Sequence, residues 1–93
     1  MNISFPEEPP VYNAEQLALI FPAMVNSAPI ECAITAEALE DHFGAASARE
    51  PDLQEAFRAN RAAIETATTR LIEEMNGAPV TLHSGYFRMY GGR

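Results

Sequence analysis

The chain contains no lysine, and its first 48 residues hold no arginine either. All six cations are arginines (Arg49, Arg58, Arg61, Arg70, Arg88 and Arg93). Seven carboxylates, Glu7, Glu8, Glu15, Glu31, Glu37, Glu40 and Asp41, fall in the cation-free stretch, and the formal charge of the whole is −7. Affinity for nucleic acid grows with each phosphate that a cation neutralises, so direct DNA or RNA binding is not expected of an acidic chain without a basic cluster. Cysteine is almost missing too. Cys32 stands alone, which excludes an intramolecular disulfide and a cysteine-based zinc site. The longest apolar run, Leu17 to Phe21 and then Ala23 to Val25 beyond Pro22, falls far short of the ~20 residues of a membrane helix. No basic residue precedes an apolar stretch at the N-terminus, so no signal peptide is expected and the expected compartment is the cytoplasm.

Reactive motifs are likewise scarce. No glycine-rich loop precedes a helix to cradle phosphate, no serine sits in a Gly-x-Ser-x-Gly elbow, and the two histidines, His42 and His83, are not spaced as a metal-binding pair. No metal or cofactor is therefore expected. Ninety-three residues suit one domain, residues 1–93, with ordinary apolar content and a modest core.

What is present reads as an α+β domain. Residues 6–16 hold three prolines and are turn-rich, which forbids a helix or a central strand; Ile3 and Phe5 suit a short edge strand before them. From Leu17 to Val25, Leu19, Phe21, Ala23 and Val25 share one face of a strand, and Pro22 requires an edge position or a bulge. Asn26-Ser27 makes a tight turn, and Ile30, Cys32 and Ile34 alternate with polar or small residues in a returning strand. Thr35 is placed to cap a short helix from Ala36 to Phe43, closed by Gly44. Between Asp52 and Asn76 no glycine or proline occurs, and Leu53, Phe57, Ile64, Ala67, Leu71 and Met75 form one stripe, so a single long amphipathic helix is expected. Val80 to His83 reads as a last strand, Ser84-Gly85 as a turn, and Tyr86-Phe87-Arg88-Met89-Tyr90 as a segment packing back on the core before Gly91-Gly92-Arg93.

Few residues stand out for chemistry. Alternation with isoleucines argues for Cys32 as an inert buried thiol, since a nucleophile needs a neighbouring base and solvent access. His42 suits a helix end, where the dipole favours it, and His83 a strand position with one satisfied nitrogen. Asn60 interrupts the apolar stripe and Arg61 borders it. They read either as a buried amide bonded to backbone beside a snorkelling arginine, or as a polar anchor facing a small cleft. Tyr86, Phe87, Met89 and Tyr90 read as core closure or as a surface reaching a partner.

The pattern resembles the bacterial family of small proteins called domain of unknown function 1488. The resemblance is carried by Phe5-Pro6, Tyr12, Phe21, Ile30-Glu31-Cys32-Ala33-Ile34, Glu37-Ala38-Leu39 and Phe43-Gly44. It continues through Phe57, Asn60-Arg61, Ile64, Ala67, Val80 and Leu82, but departs at Tyr86, where an acidic residue would precede the final Phe. It implies a hairpin, two helices and a closing strand, and brings no activity and no site residues. The expected protein is a two-layer α+β domain with a small, mostly antiparallel sheet under one short and one long helix. Its leading function is that of a non-catalytic protein-interaction or regulatory module capable of self-association, with an unidentified partner. The alternative is a small enzyme or ligand-binding domain with a pocket near Asn60, Arg61 and His83, and Tyr86 and Tyr90 complete the candidate contact residues.

Overall fold

The tight turn at Asn26-Ser27 organises the sheet. Both residues take left-handed backbone angles (φ 50° and 72°), the pair of conformations that lets two twisted strands reverse in two residues. The turn joins β3 (Ala18–Val25) to β4 (Ala28–Thr35) in full antiparallel register, from Val25 opposite Ala28 to Ala18 opposite Thr35. The computed structural model describes residues 1–90, and of Tyr90 the backbone alone. Among these residues there are five strands and four helices in one mixed sheet.

The other edge of β3 is shared by two short strands, β1 (Ile3–Ser4) and β2 (Val11–Asn13), so the turn-rich N-terminal segment contributes an edge strand after all. They behave as one edge strand interrupted by an outward loop, residues 5–10. Pro22 explains the interruption. The Asn26 N–H donates to the Asn2 carbonyl on the β1 side (2.8 Å), and counting back by twos puts the Pro22 nitrogen on that same edge, opposite the gap. Its missing donor therefore costs no bond to β4. On the far side β5 (Val80–Leu82) pairs parallel with β4.

Thr35 ends β4 and starts α1 (Ala36–His42): its hydroxyl accepts from the Ala38 N–H at 3.1 Å. Gly44 follows with φ 76°, a left-handed conformation that glycine adopts without strain. The expected long helix is two helices, α2 (Glu50–Ala59) and α3 (Arg61–Glu74). Asn60 leaves helical geometry (φ −122°, ψ 24°), and its side-chain amide donates to the Phe43 carbonyl at 3.1 Å and the Ala56 carbonyl at 2.9 Å. A side chain that bonds locally to backbone competes with the helical ladder. Here it also satisfies a carbonyl at the end of α1. The break shifts the buried face of α3 to Ile64, Ala67, Thr68 and Ile72, which leaves Leu71 half-buried and turns Met75, an expected core residue, 52% to solvent.

The C-terminal segment also differs from expectation. Residues 84 to 90 form α4 (Ser84–Tyr90), where a turn and a segment packing back on the core were expected, so there are four helices in place of two. Phe87 enters the core edge-on to Phe43 at 5.1 Å, while Met89 is exposed. All four helices join one buried cluster with Leu19, Phe21, Cys32, Ile34, Val80 and Leu82, centred on the Phe21–Phe57 ring contact at 5.2 Å. Ile30 borders that cluster, half-buried. The opposite sheet face carries no helix.

Replacing Asn60 with alanine removes both side-chain bonds and leaves the Phe43 carbonyl without its donor. Urea denaturation should report a loss of about 1–3 kcal/mol. Unchanged stability would mean that the break is set elsewhere.

Candidate functional site

Arg61 begins α3 and reaches across the molecule. Its Nη1 donates to the Glu8 carbonyl and its Nη2 to the Pro6 carbonyl, both at 2.9 Å, while Nε donates to Glu65 at 2.8 Å. The guanidinium also lies 5.2 Å from the Phe57 ring centre. Gln54 on α2 adds a bond from Nε2 to the Pro10 carbonyl at 2.8 Å. The outward loop 5–10 is thus held by three of its carbonyls, and Phe5 rests near Phe21 (6.4 Å between rings). Between this loop and the helices lies a groove of about 700 Å³. Phe5, Pro9, Pro10, Pro51 and Phe57 supply apolar walls, and four carboxylates, Glu7, Glu8, Glu55 and Glu65, border it. Arg58 binds Glu55, and that hydrogen bond, with the attraction of the charge, holds the Glu55 carboxyl below its usual range.

Of the residues singled out from sequence, Arg61 lines this groove, while Asn60 and His83 do not. Asn60 is occupied at the helix break, and His83 is exposed beyond the end of β5. The three do not share a cavity. Tyr86 is half-buried, edge-on to Phe87 at 5.6 Å, and the side chain of Tyr90 lies outside the described residues, as does the Gly91-Gly92-Arg93 tail.

A second polar cluster escaped sequence reasoning because it joins residues more than 40 positions apart. Ser84 is buried, and its hydroxyl donates to Asp41 Oδ2 at 2.6 Å. His42 Nε2 lies 3.1 Å from the Ser84 carbonyl and 3.2 Å from its Oγ, and Arg88 Nη1 donates to Oγ at 3.1 Å. The residue types are those of a hydrolytic triad, but the wiring differs. In a triad the carboxylate orients the imidazole and the imidazole takes the serine proton. Here the shortest bond gives that proton to Asp41, and the imidazole N–H meets a carbonyl, which can only accept. The cluster docks α4 on α1.

Cys32 is fully buried against the core, and that burial, with Glu31 adding to it, pushes its thiol up to about 11. Thiolate chemistry at neutral pH is disfavoured there. Among the described residues no group of three or more His, Cys, Asp or Glu could hold a metal ion, and no helix is long and apolar enough to cross a membrane.

Loop 5–10, the hairpin with Cys32 and the α2–α3 junction all fall within one family match. The family model described as protein of unknown function (DUF1488) matches residues 3–82. The chain belongs to this family. A crystal structure at 1.60 Å of a DUF1488 family protein of unknown function from Shewanella loihica PV-4 is similar to it. The two are 26% identical with a TM-score of 0.71, over 86% of this chain and 93% of that one. Among curated proteins, none matches the chain. The DUF1488 match ends at residue 82, so α4 lies beyond it, while Asp41, which accepts from Ser84, lies within it.

Two outcomes follow. Arg61→Ala should free the loop: NMR order parameters at Phe5, Glu7 and Glu8 should fall from the rigid range (~0.85) toward ~0.6 or below, while those of β4 stay unchanged. For Cys32 the raised pKa makes the folded state hold its proton longer than the unfolded chain. Its contribution to stability is full below about pH 9 and declines between pH 9 and 11 by about 1.4 kcal/mol per unit. Denaturation of the Cys32→Ala variant across that window should show a correspondingly shallower decline.

Proposed function

We propose that this DUF1488 protein is a non-catalytic interaction module that pairs with a second copy through its helix-free sheet face. The single observation behind this reading is the composition of that face. The cross-strand rows there are Asn13–Ala18–Thr35, Val11–Ile20–Ala33–Thr81, Pro22–Glu31 and Ser4–Met24–Pro29, and Glu31 is their only charged residue. Val11 is 67% exposed, and a shallow hollow of about 340 Å³ opens between Val11, Ile20, Pro22 and Pro29.

Two copies that each carry a charge of −7 repel wherever their carboxylates meet. A self-complementary contact therefore favours the region where charge is scarce and apolar surface abundant. Twofold pairing of one patch with itself is the commonest arrangement of soluble oligomers. The remaining polar clusters support a non-catalytic role, because the groups that resemble reactive sets are engaged in holding loop 5–10 and α4 in place.

Sedimentation velocity over a hundredfold concentration range tests the reading. The wild type should move from monomer to dimer, and added salt should tighten the dimer by screening repulsion. Ile20→Glu, which places a new carboxylate from each copy in the interface, should weaken pairing by about tenfold or more with unchanged far-UV circular dichroism. A strict monomer at the highest concentration, or an Ile20→Glu dimer as tight as the wild type, would overturn it.

A further inference from the structure

The groove between loop 5–10 and α2–α3 has a different character from the sheet face and shares no lining residue with the hollow there. Its charges do not balance. Arg58 is bound to Glu55, and Arg61 to Glu65 and two loop carbonyls, so the cations of the groove are already engaged. Glu7 and Glu8 are exposed on the rim, and among the described residues no cation lies within ion-pair distance of either. The groove thus offers an excess of two negative charges beside the accessible apolar surface of Phe5, Pro9 and Pro51, with Phe57 and Pro10 buried behind it.

We infer that this groove docks a basic, apolar-anchored segment of another protein: one or two aliphatic side chains against that apolar surface, with Arg or Lys meeting Glu7 and Glu8. The sign of the rim excludes phosphate backbones and anionic lipid surfaces, and a second copy of this chain brings the same negative charge. The loop wall is pinned through the Pro6, Glu8 and Pro10 carbonyls, so the groove stands open before a partner arrives and little ordering cost accompanies docking. This inference extends the interaction-module reading to a second surface and does not depend on pairing of copies.

The test uses a fluorescein-labelled ten-residue peptide of alternating leucine and arginine, with a leucine–glutamate peptide and an all-arginine peptide as comparisons, read by anisotropy against the full chain. The first should bind, the second not, and the third at least several-fold more weakly for want of an apolar anchor. The double variant Glu7→Gln/Glu8→Gln should weaken binding about tenfold or more. Glu37→Gln/Glu40→Gln, which removes the same charge from α1, should change it less than about twofold. The Gln54 side-chain amide, bonded to the Pro10 carbonyl, should shift in NMR spectra on titration. Absence of binding, equal weakening by both double variants, or shifts confined to the sheet face would overturn the inference. Ile20→Glu separates it from the pairing of copies, since that variant should bind the peptide undiminished.

Discussion

The molecule has helices enough for one side of its sheet only. All four contribute to a single buried cluster against Leu19, Phe21, Cys32 and Ile34, while on the reverse face Val11 and Pro29 are exposed and Ile20, Pro22 and Met24 are half-buried. A sheet buried on one face ordinarily shows polar residues on the other. Here the reverse face carries a single charge, Glu31, and its polar residues, Ser4, Asn13, Thr35 and Thr81, flank valine, isoleucine, methionine and two prolines. Most other features follow from serving the covered side. The break at Asn60 folds the helical run so that α2 and α3 both reach the sheet, Arg61 ties the outward loop down over their edge, and α4 closes the remaining gap with Phe87.

The parts of this fold that were legible from sequence are those whose causes are local. The hairpin followed from alternation and from two residues that tolerate left-handed angles, and the Thr35 cap and Gly44 terminator mark α1 by their own chemistry. Pro22 announced an edge position or a bulge; β3 is an inner strand, and its proline faces the gap between β1 and β2. The features that were missed have non-local causes. Residues 52–76 have helical propensity throughout, and what divides them is a hydrogen bond from Asn60 to Phe43, seventeen positions away. The Met75 error follows directly, because a stripe drawn along one helix loses its phase at a break. The aromatics of residues 86–90 pointed to a segment packing back on the core without showing that it is helical, and Asp41 and His42 from another helix hold that helix in place.

The candidate residues show the same division. Asn60 and Arg61 were conspicuous as polar positions in an apolar stripe, and both bond to residues distant in sequence, Asn60 to Phe43 and Arg61 to Pro6 and Glu8. Those contacts are with backbone carbonyls, which carry no signature in the sequence. The groove itself was invisible, since its walls come from residues 5–10 and 51–65. The one available signal was the pair Glu7-Glu8 set between prolines, in a stretch without a single cation. His83 had no such context, and the structure leaves it outside the groove.

The central claim is that the uncovered sheet face is a contact surface. Solvent paramagnetic relaxation of side-chain methyl groups, measured with a soluble gadolinium chelate at rising protein concentration, addresses it most directly. The account predicts that the methyls of Val11, Ile20 and Met24 become protected as concentration rises, while exposed Leu17 and Met89 stay broadened and buried Leu19 and Ile34 stay sharp throughout. Equal broadening of Val11, Ile20 and Met24 at every concentration would contradict it.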